Sequence, residues 1–129
     1  MSTLQNLAAP LGRILISLIF LTSGLSKISG YAGTQSYMEA MGVPGTLLPL
    51  VIALEVLGAL FVMVGWNTRF AAFLLAGFSL LSAVLFHANF GDQMQMIMFM
   101  KNLSIAGGFL MIVSLGGGAY SLDNYLRAR

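Results

Sequence analysis

Four apolar stretches, at about residues 10–28, 47–66, 70–90 and 96–115, take up most of this 129-residue chain and set what it can fold into. Each is close to the ~20 residues that an α-helix needs to cross the hydrocarbon core of a bilayer. A soluble domain would have to hide those stretches behind charge. Only 8% of the residues are Asp, Glu, Lys or Arg, against about 25% in ordinary globular proteins. Lipid is the solvent that fits, and in lipid each backbone polar group must be satisfied within its own segment, which selects the helix. The expected fold is an all-α membrane protein: a single domain over residues 1–129, built as a four-transmembrane-helix bundle.

The connections order the helices. Trp66-Asn67-Thr68-Arg69 is a tight hairpin, so helices two and three should be antiparallel neighbours. The Ser29–Thr46 loop is the long one, and within it Thr34–Met41 reads as a short amphipathic helix on the membrane surface, with Tyr37, Met38 and Met41 on its apolar face. Pro10 suits a first helical turn, where its missing N–H costs nothing. Arg13 before an apolar run resembles a signal peptide, but no small-residue cleavage site follows before Lys27, so an uncleaved helix is expected. Arg13, Arg69, Arg127 and Arg129 all fall on the side of the termini and the hairpin, which by the positive-inside rule places both termini in the cytoplasm. On that side Arg13 and Arg69 are expected to snorkel to the interface.

Composition excludes several chemistries. With no cysteine there are no disulfides, thiolate metal sites or iron–sulfur clusters. No run of basic residues suggests nucleic acid. A single histidine argues against haem, and the alternating Met94, Met96, Met98 and Met100 diverge by about 200° per pair on a helix, so they are expected to be packing residues with no metal.

Threading the helices leaves the intramembrane polar groups in the outer half of the bundle. Lys27 ends helix one. Glu55 lies nine residues below Thr46, roughly 13 Å down at ~1.5 Å per residue. His87 comes about one turn below the outer end of helix three, and Lys101 and Asn102 little more than a turn inside helix four. Glu55 shares a face with Gly58 and Ala59, and Lys101 with Ser104, Ile105 and Gly108; small residues mark helix contacts in lipid, so both charges should face inward. Intramembrane charges are paired or functional. Each group therefore has two readings: Glu55 a proton or ligand site or one half of a structural ion pair with Lys27 or Lys101, Lys27 a ligand or a snorkelling anchor, Lys101 a ligand contact or a packing charge. His87 is a relay or a packed interfacial histidine, and Asn102 a ligand contact or an interhelical bond.

Several segments resemble the DoxX family, specifically its YqjF-type members: Gly30-Tyr31-Ala32-Gly33-Thr34-Gln35 with Tyr37-Met38-Glu39-Ala40-Met41-Gly42-Val43-Pro44-Gly45, then Leu85-Phe86-His87, Met98-Phe99-Met100-Lys101-Asn102-Leu103, Gly107-Gly108 and Gly118-Ala119-Tyr120-Ser121. The resemblance covers essentially the whole chain. It implies a four-helix bundle of bacterial cytoplasmic (inner) membranes, with relatives that are subunits of a thiosulfate:quinone oxidoreductase or are tied to catechol and quinone detoxification. Lys27, Glu55, His87, Lys101 and Asn102 remain candidates by position. Residues and resemblance together suggest a membrane subunit that binds a quinone, quinol or similar small aromatic without a covalent cofactor, alone, as a homo-oligomer or beside a partner redox subunit. A small proton-coupled transporter and a structural adaptor with no ligand of its own stay open.

Overall fold

The computed structural model describes residues 3–128; Arg129, one of the four arginines in the orientation argument, lies outside them. The described chain is helical, with α1 at Thr3–Ser29, α2 at Tyr31–Ala40, α3 at Leu48–Val64 after a 3-10 turn at Gly45–Leu47, α4 at Thr68–Phe86, α5 at Gln93–Leu115 and α6 at Leu122–Ala128. Four of these are long and apolar enough to cross a membrane: α1, α3 with its 3-10 turn, α4 and α5. Leucines and phenylalanines such as Leu15, Leu57, Phe70, Phe73 and Leu110 stand exposed on their outer faces, where only an apolar solvent makes such a surface stable.

Chain reversals set the topology. Gly65 caps α3 with φ 77° and Asn67 precedes α4 with φ 47°, left-handed conformations that Gly and Asn adopt more readily than other residues. The turn makes α3 and α4 antiparallel, as the hairpin predicts. Asp92 caps α5 by accepting from Met94 N at 2.9 Å, satisfying one of the orphan N–H groups of a helix start. The main packing runs α1 on α3, α3 on α4 and α4 on α5, with α1 meeting α5 along a thinner seam.

Small residues let the helices approach. A Cβ on Gly24 would lie 2.6 Å from Val56 Cγ2, one on Gly58 3.2 Å from Leu75, and one on Gly108 2.6 Å from Ile16 Cδ1. Ala59, Val62, Ala71, Ala72, Leu75, Ala76 and Ala106 form the packed core around Phe109, against whose ring Phe20 stands edge-on at 5.6 Å. That core occupies the half of the bundle nearest the α3–α4 hairpin.

Several expectations need correcting. The first helix is already formed at Thr3, so Pro10 sits inside it rather than in its first turn; proline is tolerated within spanning helices because neighbouring groups re-satisfy the freed carbonyl. α4 stops at Phe86, not residue 90, and α5 starts at Gln93, not 96, because Asp92 supplies the cap. The loop helix covers Tyr31–Ala40, and Met41 falls beyond its end, 41% exposed. α6 was not anticipated.

The largest difference concerns Arg13. It does not snorkel; it is buried, 3% exposed. Its Nη1 donates to Val62 O and Met63 O, each at 3.0 Å, and its Nη2 to Tyr120 O. The first two carbonyls belong to the last turn of α3, where intrahelical partners run out and the helix dipole is negative. The third draws in the segment after α5. From α6, Asp123 reaches back to cap α4, accepting from Asn67 N at 2.8 Å, Thr68 N at 2.9 Å and Thr68 Oγ1 at 2.6 Å. Burial acts to raise the Asp123 carboxyl, but those hydrogen bonds and the charge of Arg127 outweigh it and leave the pKa below its ordinary value.

Candidate functional site

Beyond Phe20 the interior opens. Its lining residues come from the C-terminal halves of α1 and α4 and the N-terminal halves of α3 and α5, so the chamber fills the half of the bundle that the core does not. The chamber has a volume of about 470 Å³, within the ~300–1,000 Å³ typical of small-molecule pockets. Its walls are chiefly apolar: Ile19, Leu50, Leu54, Phe78, Leu81 and Ile105 among them. α2 closes the end. Met38 is buried, and the Tyr37 ring stacks on Phe86 at 5.5 Å and 22°. Gln35 Nε2 donates to Gly45 O at 3.1 Å, tying α2 to the 3-10 turn.

Lys27, Glu55, His87, Lys101 and Asn102 all line this one chamber. Lys27 Nζ lies 2.8 Å from Glu55 Oε1 and 2.6 Å from Ser23 Oγ. The carboxylate contact is an ion pair rather than an aligned hydrogen bond, since Oε1 is buried and no donor points squarely at it. Glu55 is thus paired with Lys27, the partner on the consecutive spanning helix. The pair is held by the close approach of α1 and α3 at Gly24, where a Cβ would come within 3.3 Å of Glu55 Cβ.

Lys101 is not part of that pair. Its Nζ donates to Met98 Sδ at 3.6 Å, one helical turn away, and no carboxylate within the described residues pairs with it. It lies eight residues into α5, deeper than the sequence suggested, because the helix begins earlier. Met98, Lys101, Asn102 and Ile105 line the chamber as one helical stripe. Ser104, expected on that face, is exposed. Met100 is 53% exposed on another face, so the methionine series diverges as its spacing requires.

His87 follows the last turn of α4 instead of sitting within it; its N–H donates to Ala83 O, and its Nδ1 lies 2.9 Å from Gln95 Oε1 on α5. Three contributors escaped sequence reasoning: Ser23, Gln95 and the Tyr37–Phe86 cover. The i, i+4 spacing of Ser23 and Lys27 was the available signal; Gln95 and Phe86 carried none, because each acts across a tertiary contact.

What the arrangement offers is a mainly apolar chamber into which a few charged and polar side chains are built. Comparison with known proteins bears on this. The sequence model of the DoxX family matches residues 8–88. The chain is 52% identical over its full 129 residues to "Inner membrane protein YqjF" of Escherichia coli K12, covering 99% of that protein. It is 40% identical over 120 residues to "Inner membrane protein YphA" of the same organism, covering 88% of this chain and 86% of the relative. A third relative, "Putative oxidoreductase CatD" of Bacillus subtilis 168, is 33% identical over 64 residues, about half of each chain (50% and 48%). No solved structure matches significantly.

Proposed function

The chain belongs to the DoxX family as a YqjF-type integral inner-membrane protein, and on that premise we propose that it binds a quinone, quinol or similar small aromatic in the chamber beneath α2. The observation that carries the reading is the convergence of Lys27, Glu55, His87, Lys101 and Asn102 on one mainly apolar cavity. A quinone headgroup needs donors for two ring oxygens and a route for protons. Lys101 Nζ and the Asn102 amide are placed to donate, and Glu55 is placed to hold or pass a proton against Lys27. An isoprenoid tail fits the leucine and isoleucine walls. The name of the CatD relative points to redox chemistry, which here calls for a diffusible electron carrier or a partner subunit. A ligand-free structural adaptor gains no support from a cavity of this size. The transporter alternative shares the chamber and differs in releasing its ligand on both sides.

Arg13, Arg69 and Arg127 stand at the hairpin end and, among the described residues, no arginine at the chamber end, which supports placing the hairpin and both termini in the cytoplasm and the chamber in the outer half of the membrane. Since the chain has no cysteine, a single cysteine at Asn67 reports this directly: it should resist an impermeant reagent applied from outside.

The binding test uses Glu55→Gln, which keeps shape and removes charge. Melting temperature and binding of a short-chain ubiquinone or menaquinone analogue are measured for both proteins. A folded variant with weakened binding or an altered pH dependence supports the reading. One that melts lower while binding equally well restricts Glu55 to a structural pair.

A further inference from the structure

The charges lining the chamber do not cancel. Its titratable groups are Lys27, Glu55, His87, Lys101 and the Tyr37 phenol. Glu55 offsets Lys27 across 2.8 Å. His87 and Tyr37 bring no carboxylate, so the ammonium of Lys101 is left over. A thioether sulfur at 3.6 Å is its hydrogen-bond acceptor, and thioethers accept weakly. An uncompensated cation beside apolar walls within a membrane-spanning bundle is costly, and a negative charge placed against it recovers that cost. Asn102 follows Lys101 on the same stripe, and no other described residue bonds its amide, which adds a second donor at the same place.

We infer that the chamber selects an anionic aromatic, with its ring between the apolar walls and its ionised oxygen against Lys101 and Asn102. The inference rests on the proposed aromatic-binding reading and narrows it to hydroxyquinones, phenolates and aromatic carboxylates, in preference to neutral quinones. Lys27 is not the anchor, because Glu55 and Ser23 already engage its ammonium.

The experiment compares two naphthoquinones of nearly equal size: 2-hydroxy-1,4-naphthoquinone, an anion at neutral pH, and neutral 2-methyl-1,4-naphthoquinone. Both are titrated into the full chain in nanodiscs of zwitterionic lipid, with empty nanodiscs correcting for partition. The wild type is expected to bind the anion roughly tenfold or more tightly, the scale of a hydrogen bond to a charged group. Lys101→Met should abolish that preference while still binding the neutral compound; Lys101→Arg, which keeps the charge, should retain most of it. Equal affinity for the two compounds in the wild type overturns the charge selection and leaves aromatic binding standing. Preference that survives in Lys101→Met overturns the assignment to Lys101. Saturable binding of neither compound overturns the aromatic-binding reading and this inference with it.

Discussion

At the hairpin end, Arg13 is 3% exposed and gives its guanidinium to three main-chain carbonyls, from Val62, Met63 and Tyr120. At the chamber end, Lys101 lines a cavity of about 470 Å³ and donates to one sulfur. Both cations sit on spanning helices of the same small bundle, and among the described residues neither is in a salt bridge, although Asp123 acts on Arg13 at longer range. The hairpin end engages both terminal nitrogens of its cation with fixed backbone dipoles, leaving only the buried Nε without an acceptor, and the side chain faces no cavity. The chamber end leaves donors facing space. A buried charge is therefore no functional signal by itself; what separates the two is how many strong acceptors of the chain itself engage the cation, and whether a cavity adjoins it.

The comparison breaks most directly at Arg13. Arg13→Met strands three carbonyls and frees the segment after α5, so it should cost about 3–5 kcal/mol, the scale of losing one side of a buried charged contact. Thermal unfolding in detergent checks this, and a melting point equal to wild type would mean that Arg13 is a surface anchor after all. Arg13→Lys should recover only part, since a single ammonium cannot reproduce the guanidinium fork.

Lys27→Met should cost less, about 1–3 kcal/mol, because Lys27 is 25% exposed and its loss strands Glu55 at the chamber wall rather than in packed core. Adding Glu55→Gln should restore part of that stability. If the double variant is worse than either single, the pair is not coupled as its 2.8 Å separation requires.

Asp123 sharpens the other side. Asp123→Ala removes the cap on α4 and should cost about 0.5–2 kcal/mol. Because the folded state lowers this pKa below its ordinary value of 3.8, the contribution is fully present above that value and is lost as pH falls through the lower folded value. Between neutral pH and the ordinary aspartate range the wild type and Asp123→Asn should therefore differ by a constant amount, with the gap closing only in stronger acid. A gap that closes well above 3.8 would contradict the lowered pKa.

The smallest effect is expected at Met100. Met100→Leu, at a half-exposed position, should leave melting and ligand binding unchanged, whereas Met98→Leu removes the Lys101 acceptor and should alter binding. Copper(I) retained through purification and lost from Met96→Leu/Met98→Leu would overturn the packing role of this series.

Much of this was legible in the residues because lipid imposes so narrow a choice. Four apolar runs gave four spanning helices, and the small residues beside Glu55 marked its face. Threading alone brought Lys27, Glu55, His87, Lys101 and Asn102 to one end, and they line one cavity. The sequence could not separate Arg13 from a snorkelling arginine. Its partners are backbone carbonyls, which have no residue signature, and one of them lies 107 positions away. Helix ends were missed for a related reason: the cap at Asp92 and the stop at Phe86 depend on polar groups that an apolar window averages out. α6 was invisible because seven residues carry little periodicity, and its role rests on Asp123 reaching another helix.

The tie between Arg13 and Tyr120 also has a consequence for biosynthesis. Arg13 enters the membrane early, while the Tyr120 carbonyl that engages its Nη2, and the Asp123 carboxylate that caps α4, are made only after all four spanning helices. Until they arrive, the first helix carries a half-solvated cation and the α4 start lacks its cap. The nascent protein thus holds an internal mark of incompleteness, erased only when translation has passed α6. Chains stopped before Gly116 should insert four helices and still be cleared faster by membrane proteases than the full chain, a difference that pulse-chase measurement reads directly.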